Sequence, residues 1–319
     1  MYQLNKTTQF TKPYGNTDKP LYMTNLSKEI ENVMKSIKGM RKQNEALLKI
    51  GLRPIDITMI RFAEKQNKQA RQMGLQPVFK LGNLTFGVEI ECYNAPRHTL
   101  ADNVRQKGVN ITSECYNHDD HQDRFKLVSD GSLCGEDSVE CVSPILKGNK
   151  GLEAMQKVCE ALNETGAKVN RSCGLHVHFG AEFMTDEQYC RLFKNYRNIE
   201  NIIDSMMPQS RRGNNAFYAQ SLNSLPTLNR ATTKIDMARV RNRYYKINPL
   251  SYLRHKTVEF RQHSGTVEFA KIKNWVLFLA ALIQYSLTHE QAPVASIDEL
   301  TWLPEDVKNF YKERISALA

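Results

Sequence analysis

The chain has 319 residues, 41% of them hydrophobic and 24% charged, with a formal net charge of +10 at pH 7. That length supports one large hydrophobic core or two ordinary ones, while only 16 Gly and 11 Pro exclude a fibrous or low-complexity chain. No run of about 18 uncharged apolar residues reads as a membrane span, and the positive balance permits an anionic partner without choosing one.

Residues 1–20 are polar, contain Pro13 and Gly15, and read as poorly ordered. Met1 to Lys6 is followed by no apolar core, so no secretory signal is read there. Between 27 and 51, Ile30, Val33, Met34, Ile37, Met40, Leu47 and Leu48 recur at helical spacing among Lys28, Lys35, Lys38, Arg41, Lys42 and Lys49. Residues 56–73 repeat the pattern through Ile57, Ile60, Phe62 and Ala63 and stop at Gly74. Residues 21–77 are therefore expected to form a basic helical extension with a solvated face. Docking of an acidic partner on that face is the alternative.

From 78 to 319 the chain reads as a separate domain. Residues 85–92, 125–128, 138–142, 174–179 and 257–263 alternate apolar and polar as strands do. Helical periodicity runs over 150–163, stopped by Gly166, over 186–206, stopped by Pro208, and over 267–289. The apolar stretch 275–287 in the last of these is too short to cross a bilayer and reads as a buried helix. Strands joined by hairpins and by helices in irregular order predict an α+β fold with a mostly antiparallel, curved sheet.

The strands carry the chemistry. Glu89 and Glu91 are two residues apart and share a face. A single E-x-E is an ordinary solvated strand face, but the spacing recurs. His176 and His178 form a second pair opposite Leu175, Val177 and Phe179, after the small residues Ser172, Cys173 and Gly174, which suit close approach of a ligand to backbone. Glu259, Arg261 and His263 alternate opposite Val258 and Phe260; a surface salt-bridge ladder explains that set equally well when it is taken alone. Asp130-Gly131-Ser132 presents an acid in a turn, and Glu140 opposes Val139 and Cys141.

One sheet then carries Glu89, Glu91, Glu140, His176, His178, Glu259 and Arg261 on a single face. Carboxylates with one or two imidazoles suit Mg²⁺ or Mn²⁺ better than a structural zinc, which takes thiolates. An arginine beside metal-bound carboxylates suits a transferring phosphoryl group. Arg211 and Arg212, in a loop after Pro208, are candidates for closing over phosphates or a substrate carboxylate. Arg239, Arg241 and Arg243 precede the last strand together with Asn248, against the alternative of ordinary solvated arginines. His118 to His121 reads as a solvated turn, and Cys173 as a buried thiol rather than a nucleophile. Seven scattered cysteines without a C-x-x-C fit a reducing cytoplasm.

The ordered set Gly87-Val88-Glu89-Ile90-Glu91, Asp130-Gly131-Ser132, Val139-Glu140-Cys141, Gly174-Leu175-His176-Val177-His178-Phe179 and Thr257-Val258-Glu259-Phe260-Arg261 resembles the amidoligase family, over roughly residues 80–290. That family belongs to the carboxylate-amine ligase superfamily of glutamine synthetase and glutamate-cysteine ligase. The resemblance implies a glutamine-synthetase-like sheet and ATP with Mg²⁺ or Mn²⁺. It also implies an amide or isopeptide bond formed through an acyl phosphate. It assigns Glu89, Glu91, Glu140, His176 and Glu259 to metal, with Asp130 as a supplement to Glu140, His178 and Arg261 to nucleotide phosphate, and Glu89, Glu259 and Arg261 to catalysis. The residues themselves add Arg243 as a phosphate candidate and Arg211, Arg212 and Asp130 as substrate candidates. The acidic flap that binds ammonium in glutamine synthetase has no counterpart located here. The implied partners are a carboxylate and an amine, either of them small or borne by a peptide or protein, with the oligomeric state open and no membrane. A phosphotransferase on the same sheet, or a non-catalytic protein binding nucleic acid or protein, are the alternatives.

Overall fold

The computed structural model describes residues 32–34, 36–50, 52, 57, 84–115, 117 and 123–319. Residues 1–20, most of the second N-terminal helix expected over 56–73, and the turn at 118–121 lie outside them. The chain divides into two units, 1–78 and 79–319. In the first, α1 (Met40–Lys49) buries Leu47 with Leu52 and Ile57, and Val33, Met34 and Ile50 pack around them. Its outer face carries Arg41, paired with Glu45 one turn on.

In the second unit, alternating residues build an eight-stranded sheet. Its strands are β1 (Thr85–Cys92), β2 (Ile111–Ser113), β3 (Phe125–Val128), β4 (Val139–Val142), β5 (Leu146–Lys147), β6 (Leu175–Gly180), β7 (Ile247–Asn248) and β8 (Thr257–Phe260). The order is β2-β3-β4-β1-β6-β8-β7, with β5 paired to the start of β1. Among the described strands only β2 and β3 run parallel, and every other pair is antiparallel. This is the α+β arrangement that the irregular connections predict.

The helices are α2 (Arg97–Gln106), α3 (Gly148–Thr165), α4 (Asp186–Asn198), α5 (Glu200–Ser205), α6 (Lys234–Met237), α7 (Ser251–His255), α8 (Phe269–Ser286) and α9 (Glu305–Leu318). Thr185 caps α4 in a reciprocal box with Gln188, and Asp186 and Glu187 in the first turn complement its dipole. The expected 186–206 helix is broken at Ile199, which leaves helical dihedrals (φ −115°) between α4 and α5. Gly166 ends α3 in the left-handed region at φ 83°, where a side chain is disfavoured. The middle of α8 is buried all round, from Trp275 to Ile283. It packs on α3, α4, α9 and β6 and forms the centre of the core.

The sheet's apolar face joins that core through Phe86, Val88, Ile90, Leu127, Cys141, Val177, Phe179, Val258 and Phe260. Each such buried side chain contributes about 1.5–3 kcal/mol. Burial of this face fixes the strand register, because a shift of one residue would turn charges into the core. The opposite face is thereby committed to the polar residues. Among the described residues no helix is long and apolar enough to cross a membrane.

Candidate active site

Register brings the polar residues into rows across the strands. Glu91 on β1 sits opposite Glu140 on β4, and Glu89 opposite His176 on β6. His178 pairs with Glu259 on β8, which pairs with Asn248 on β7. These residues line a cavity of about 910 Å³ together with Asp130, Arg211, Arg243 and Arg261. Of the residues assigned to metal, phosphate, substrate or catalysis, Arg212 alone is turned elsewhere. Its guanidinium donates to the carbonyls of Met207 (2.8 Å) and Leu318 (3.1 Å), clamping the loop to the end of α9, so Arg212 is corrected from substrate candidate to structural tie.

His176 is buried between two carboxylates, with Nδ1 2.9 Å from Glu89 Oε2 and Nε2 3.7 Å from Glu91 Oε1. Gly174 donates its N–H to Glu91 Oε2, and a Cβ there would lie 3.0 Å from His176 Nε2 and 3.3 Å from Glu91 Oε2. The glycine thus leaves room for the site's own side chains, a closer neighbour than the ligand expected from sequence. Arg261 donates through Nη1 to Glu259 and through Nε to the Tyr218 carbonyl (3.3 Å). Asn248 Nδ2 holds the other Glu259 oxygen at 2.6 Å.

The charges are strongly coupled. Burial would raise Glu89, but the charge of His178 and the hydrogen bond from His176 hold its carboxyl well below the usual range. Burial likewise opposes Glu259, and Arg261 and His178 overcome it, leaving the carboxyl at about 2. Glu140 goes the other way: burial raises it, and Glu89, Glu91 and Asp130 raise it further. Burial lowers His178, but Glu259 and Glu89 raise it above the ordinary imidazole value.

Among the described residues, three clusters present ligand atoms within 4.8 Å of one another: Glu89, Glu140 and His176; Glu89, His178 and Glu259; and Glu91, Asp130 and Glu140. Oxygen-rich sets with one imidazole fit a hard divalent cation. His178 supplies the second sign. Its Nδ1 is 3.0 Å from Thr257 Oγ1, which is 2.6 Å from Ser251 Oγ, whereas Nε2 is buried without a hydrogen bond, 3.2 Å from Glu89 Oε1. A buried ring nitrogen held in place on its far side and aimed at carboxylates is suited to a cation or to an anionic oxygen. The residues present therefore fit a divalent metal.

Two parts of the site were not assigned from sequence. Lys126, buried on β3, lines the cavity and bonds Asn117 Oδ1 at 2.7 Å. Behind the floor, Lys246 is fully buried and pairs with Glu200 (2.7 Å) and Asp204 (2.5 Å). Asp204 also accepts from Gln262 and from the Gly213 N–H, and the Lys246 carbonyl accepts from the Arg261 N–H at 2.8 Å. This network ties the Arg211 loop and Arg261 to one buried anchor. The acids Glu200 and Asp204 at helical i, i+4 spacing were the available signal.

His263, expected on the same face, lies outside the site. The strand ends at Phe260, and His263 is buried against Trp275 with Nδ1 on the Ser264 carbonyl, its imidazole lowered by burial to about 3. Cys173 is buried, its thiol is raised by burial, and its carbonyl accepts from Arg211.

The family model described as "Putative amidoligase enzyme" matches residues 82–283. A comparison with curated proteins gives no match.

Proposed function

The chain belongs to the amidoligase family, and from that premise we propose that it is an ATP- and divalent-metal-dependent ligase joining a carboxylate to an amine. The reading is carried by one observation: Glu89, Glu91, Glu140, His176, His178, Glu259 and Arg261 share one face of one cavity. In the reaction, a substrate carboxylate oxygen attacks the γ-phosphorus of ATP, and the bond to the β,γ-bridging oxygen breaks. The products are an acyl phosphate and ADP. An unprotonated amine then attacks the acyl carbon, the C–O bond to phosphate breaks, and the departing phosphate takes the proton the nitrogen sheds.

Glu89, Glu91, Glu140, His176 and Glu259 would hold Mg²⁺ or Mn²⁺, which when bound neutralises phosphate charge. Glu259 and the Tyr218 carbonyl fix Arg261 through Nη1 and Nε, and Nη2 has no partner among the described residues. That free edge is suited to a non-bridging phosphoryl oxygen, held in place before reaction begins. His178 contributes Nε2 as a metal ligand, or as a donor to a phosphate oxygen once protonated. Arg211 is a candidate for a substrate carboxylate, as a buried guanidinium at the cavity wall.

The test is the rise in melting temperature with ATP and Mg²⁺ or Mn²⁺ for wild type, Glu89→Gln and Arg261→Ala. Ligand binding to the folded state alone raises the midpoint. A rise in wild type that folded variants lose supports the nucleotide site, and ADP release is then screened against acid and amine pairs. No rise at millimolar nucleotide with either metal refutes the reading.

A further inference from the structure

Four arginines line the cavity with guanidinium groups that make no hydrogen bond or ion pair to any described residue: Arg171 before β6, Arg241 and Arg243 before β7, and Arg254 on α7. All four are exposed. Beside them, Phe217, Tyr218 and Tyr244 pack on one another with ring centroids 5.0–5.5 Å apart. Phe217 is nevertheless 64% exposed and Tyr218 47%. Their two loops are joined through Gln220, whose N–H donates to the Tyr244 carbonyl at 2.9 Å and whose carbonyl accepts from the Lys246 N–H at 2.9 Å. The aromatic shelf is thus held by backbone bonds and left open to solvent.

Unpaired guanidinium groups around one mouth select for a ligand with several negative charges, and exposed rings select for a flat or apolar group next to them. A triphosphate already meets Arg261 at the floor, so the rim charge exceeds what one nucleotide requires. Cations held by Glu89, Glu91, Glu140 and Glu259 would offset the floor's own charge in that reading, which leaves the rim guanidinium groups for further carboxylates of the substrate. A nucleic-acid strand carries no carboxylate, and the arginines surround an opening instead of tracking along a groove.

We propose that the carboxylate substrate is an acidic peptide segment, its neighbouring acidic residues held by Arg171, Arg241, Arg243 and Arg254 and an adjacent apolar residue laid on the Phe217, Tyr218 and Tyr244 shelf. The assignment rests on the ligase reading.

The test is fluorescence anisotropy of labelled hexaglutamate, with and without a flanking Phe, against the full chain, alongside hexauridylate as a control. The nucleotide and metal thermal shift is measured separately. Hexaglutamate binds wild type and weakens with salt, and Arg241→Ala with Arg254→Ala weakens it about tenfold or more with the melting temperature kept. The flanking Phe tightens binding, and Phe217→Ala removes that gain. A nucleotide shift without peptide binding, or hexauridylate binding more tightly than either peptide, overturns the substrate class and leaves the ligase reading standing. Peptide binding without any nucleotide shift supports the rim as a peptide site and overturns the ligase reading instead.

Discussion

Glu140→Gln isolates the charge imbalance of the metal-free site. Glu140 faces Glu91 across β1 and β4, and ligand atoms of Glu91, Asp130 and Glu140 lie within 4.8 Å of one another. At an effective dielectric of about 20, one pair of like charges at that separation costs about 3.5 kcal/mol. Proton uptake by Glu140 and solvent at the open side cap the cost, so the amide is expected to stabilise the metal-free protein by about 2 kcal/mol at pH 7. For a domain of this size that corresponds to a melting temperature roughly 4–8 °C higher. The sign in pH follows from the raised carboxyl of Glu140. The folded state binds its proton more tightly than the unfolded state, so the stability it contributes is fully present below the unfolded value near 4.5 and is lost as pH rises through the folded value. The gap between variant and wild type therefore opens above about pH 4.5. The assay is scanning fluorimetry in chelator from pH 4 to 8, repeated with Mn²⁺. The cation closes the gap by stabilising wild type more than the variant, which lacks one ligand. A variant that melts at or below wild type at every pH in chelator refutes the like-charge account of this face.

Lys246→Met leaves the buried Glu200 and the half-buried Asp204 without their cation and is expected to cost about 3–5 kcal/mol in urea unfolding; a loss below about 1 kcal/mol would mean the triad is not an anchor. Thr257→Val removes the oxygen held against His178 Nδ1 and should weaken Mn²⁺ binding roughly 10–100-fold in a direct titration while the fold is kept. Unchanged affinity would place His178 outside the metal sphere. Arg212→Ala should lower stability by about 1–2 kcal/mol through the Met207 and Leu318 carbonyls and keep the nucleotide-dependent thermal shift; loss of that shift would return Arg212 to the binding set. Below about pH 4.5 the depressed Glu259 carboxyl reverses the trend: the stability it contributes is present above the unfolded value and drains away as pH falls toward about 2. Acid unfolding followed by circular dichroism should therefore be shallower in Glu259→Gln than in wild type, and parallel curves would contradict the pairing with Arg261.

Strand alternation made the floor of the site legible, because one face of each strand had to be apolar for the sheet to bury it. The bounds 85–92 and 125–128 read from sequence are those of β1 and β3. Alternation failed at the end of β8, read through to His263. There the ladder slips by one residue between the Val177–Phe260 pair and the Gly174–Ser264 bridge, the Leu175 N–H is taken by the His263 carbonyl, and the imidazole is turned into the core. α2 was missed because three buried residues, Leu100, Ala101 and Val104, in ten positions make a weak stripe. α9 carried an unused start signal, Pro304 before Glu305 and Asp306. Lys246 was invisible for a different reason. A lysine between tyrosines and a strand reads as solvated, and only the fold brings Glu200 and Asp204 from α5 to it.

The sheet geometry also dictates how the ligands group. Along a strand, residues two apart on one face are separated by about 6.6 Å, whereas neighbouring strands lie about 4.8 Å apart. Ligands are therefore gathered across strands more readily than along one. The clusters obey this: none contains both Glu89 and Glu91, and none contains both His176 and His178. The repeated spacing in sequence, E-x-E on β1 and H-x-H on β6, thus spreads donors over separate positions and does not concentrate them on one. Glu89 links two of these positions, since β1 lies between β4 and β6 and places it beside Glu140 and His176 on one hand and His178 and Glu259 on the other. Its two oxygens already divide the work, Oε2 toward His176 and Oε1 toward His178. Charge drawn to one cluster is charge shared with the next, so ions at the two positions would be coupled through this single carboxylate. Glu140 likewise belongs to the first cluster and to a third with Glu91 and Asp130, and the carboxylates that raise it are what a cation held there would neutralise.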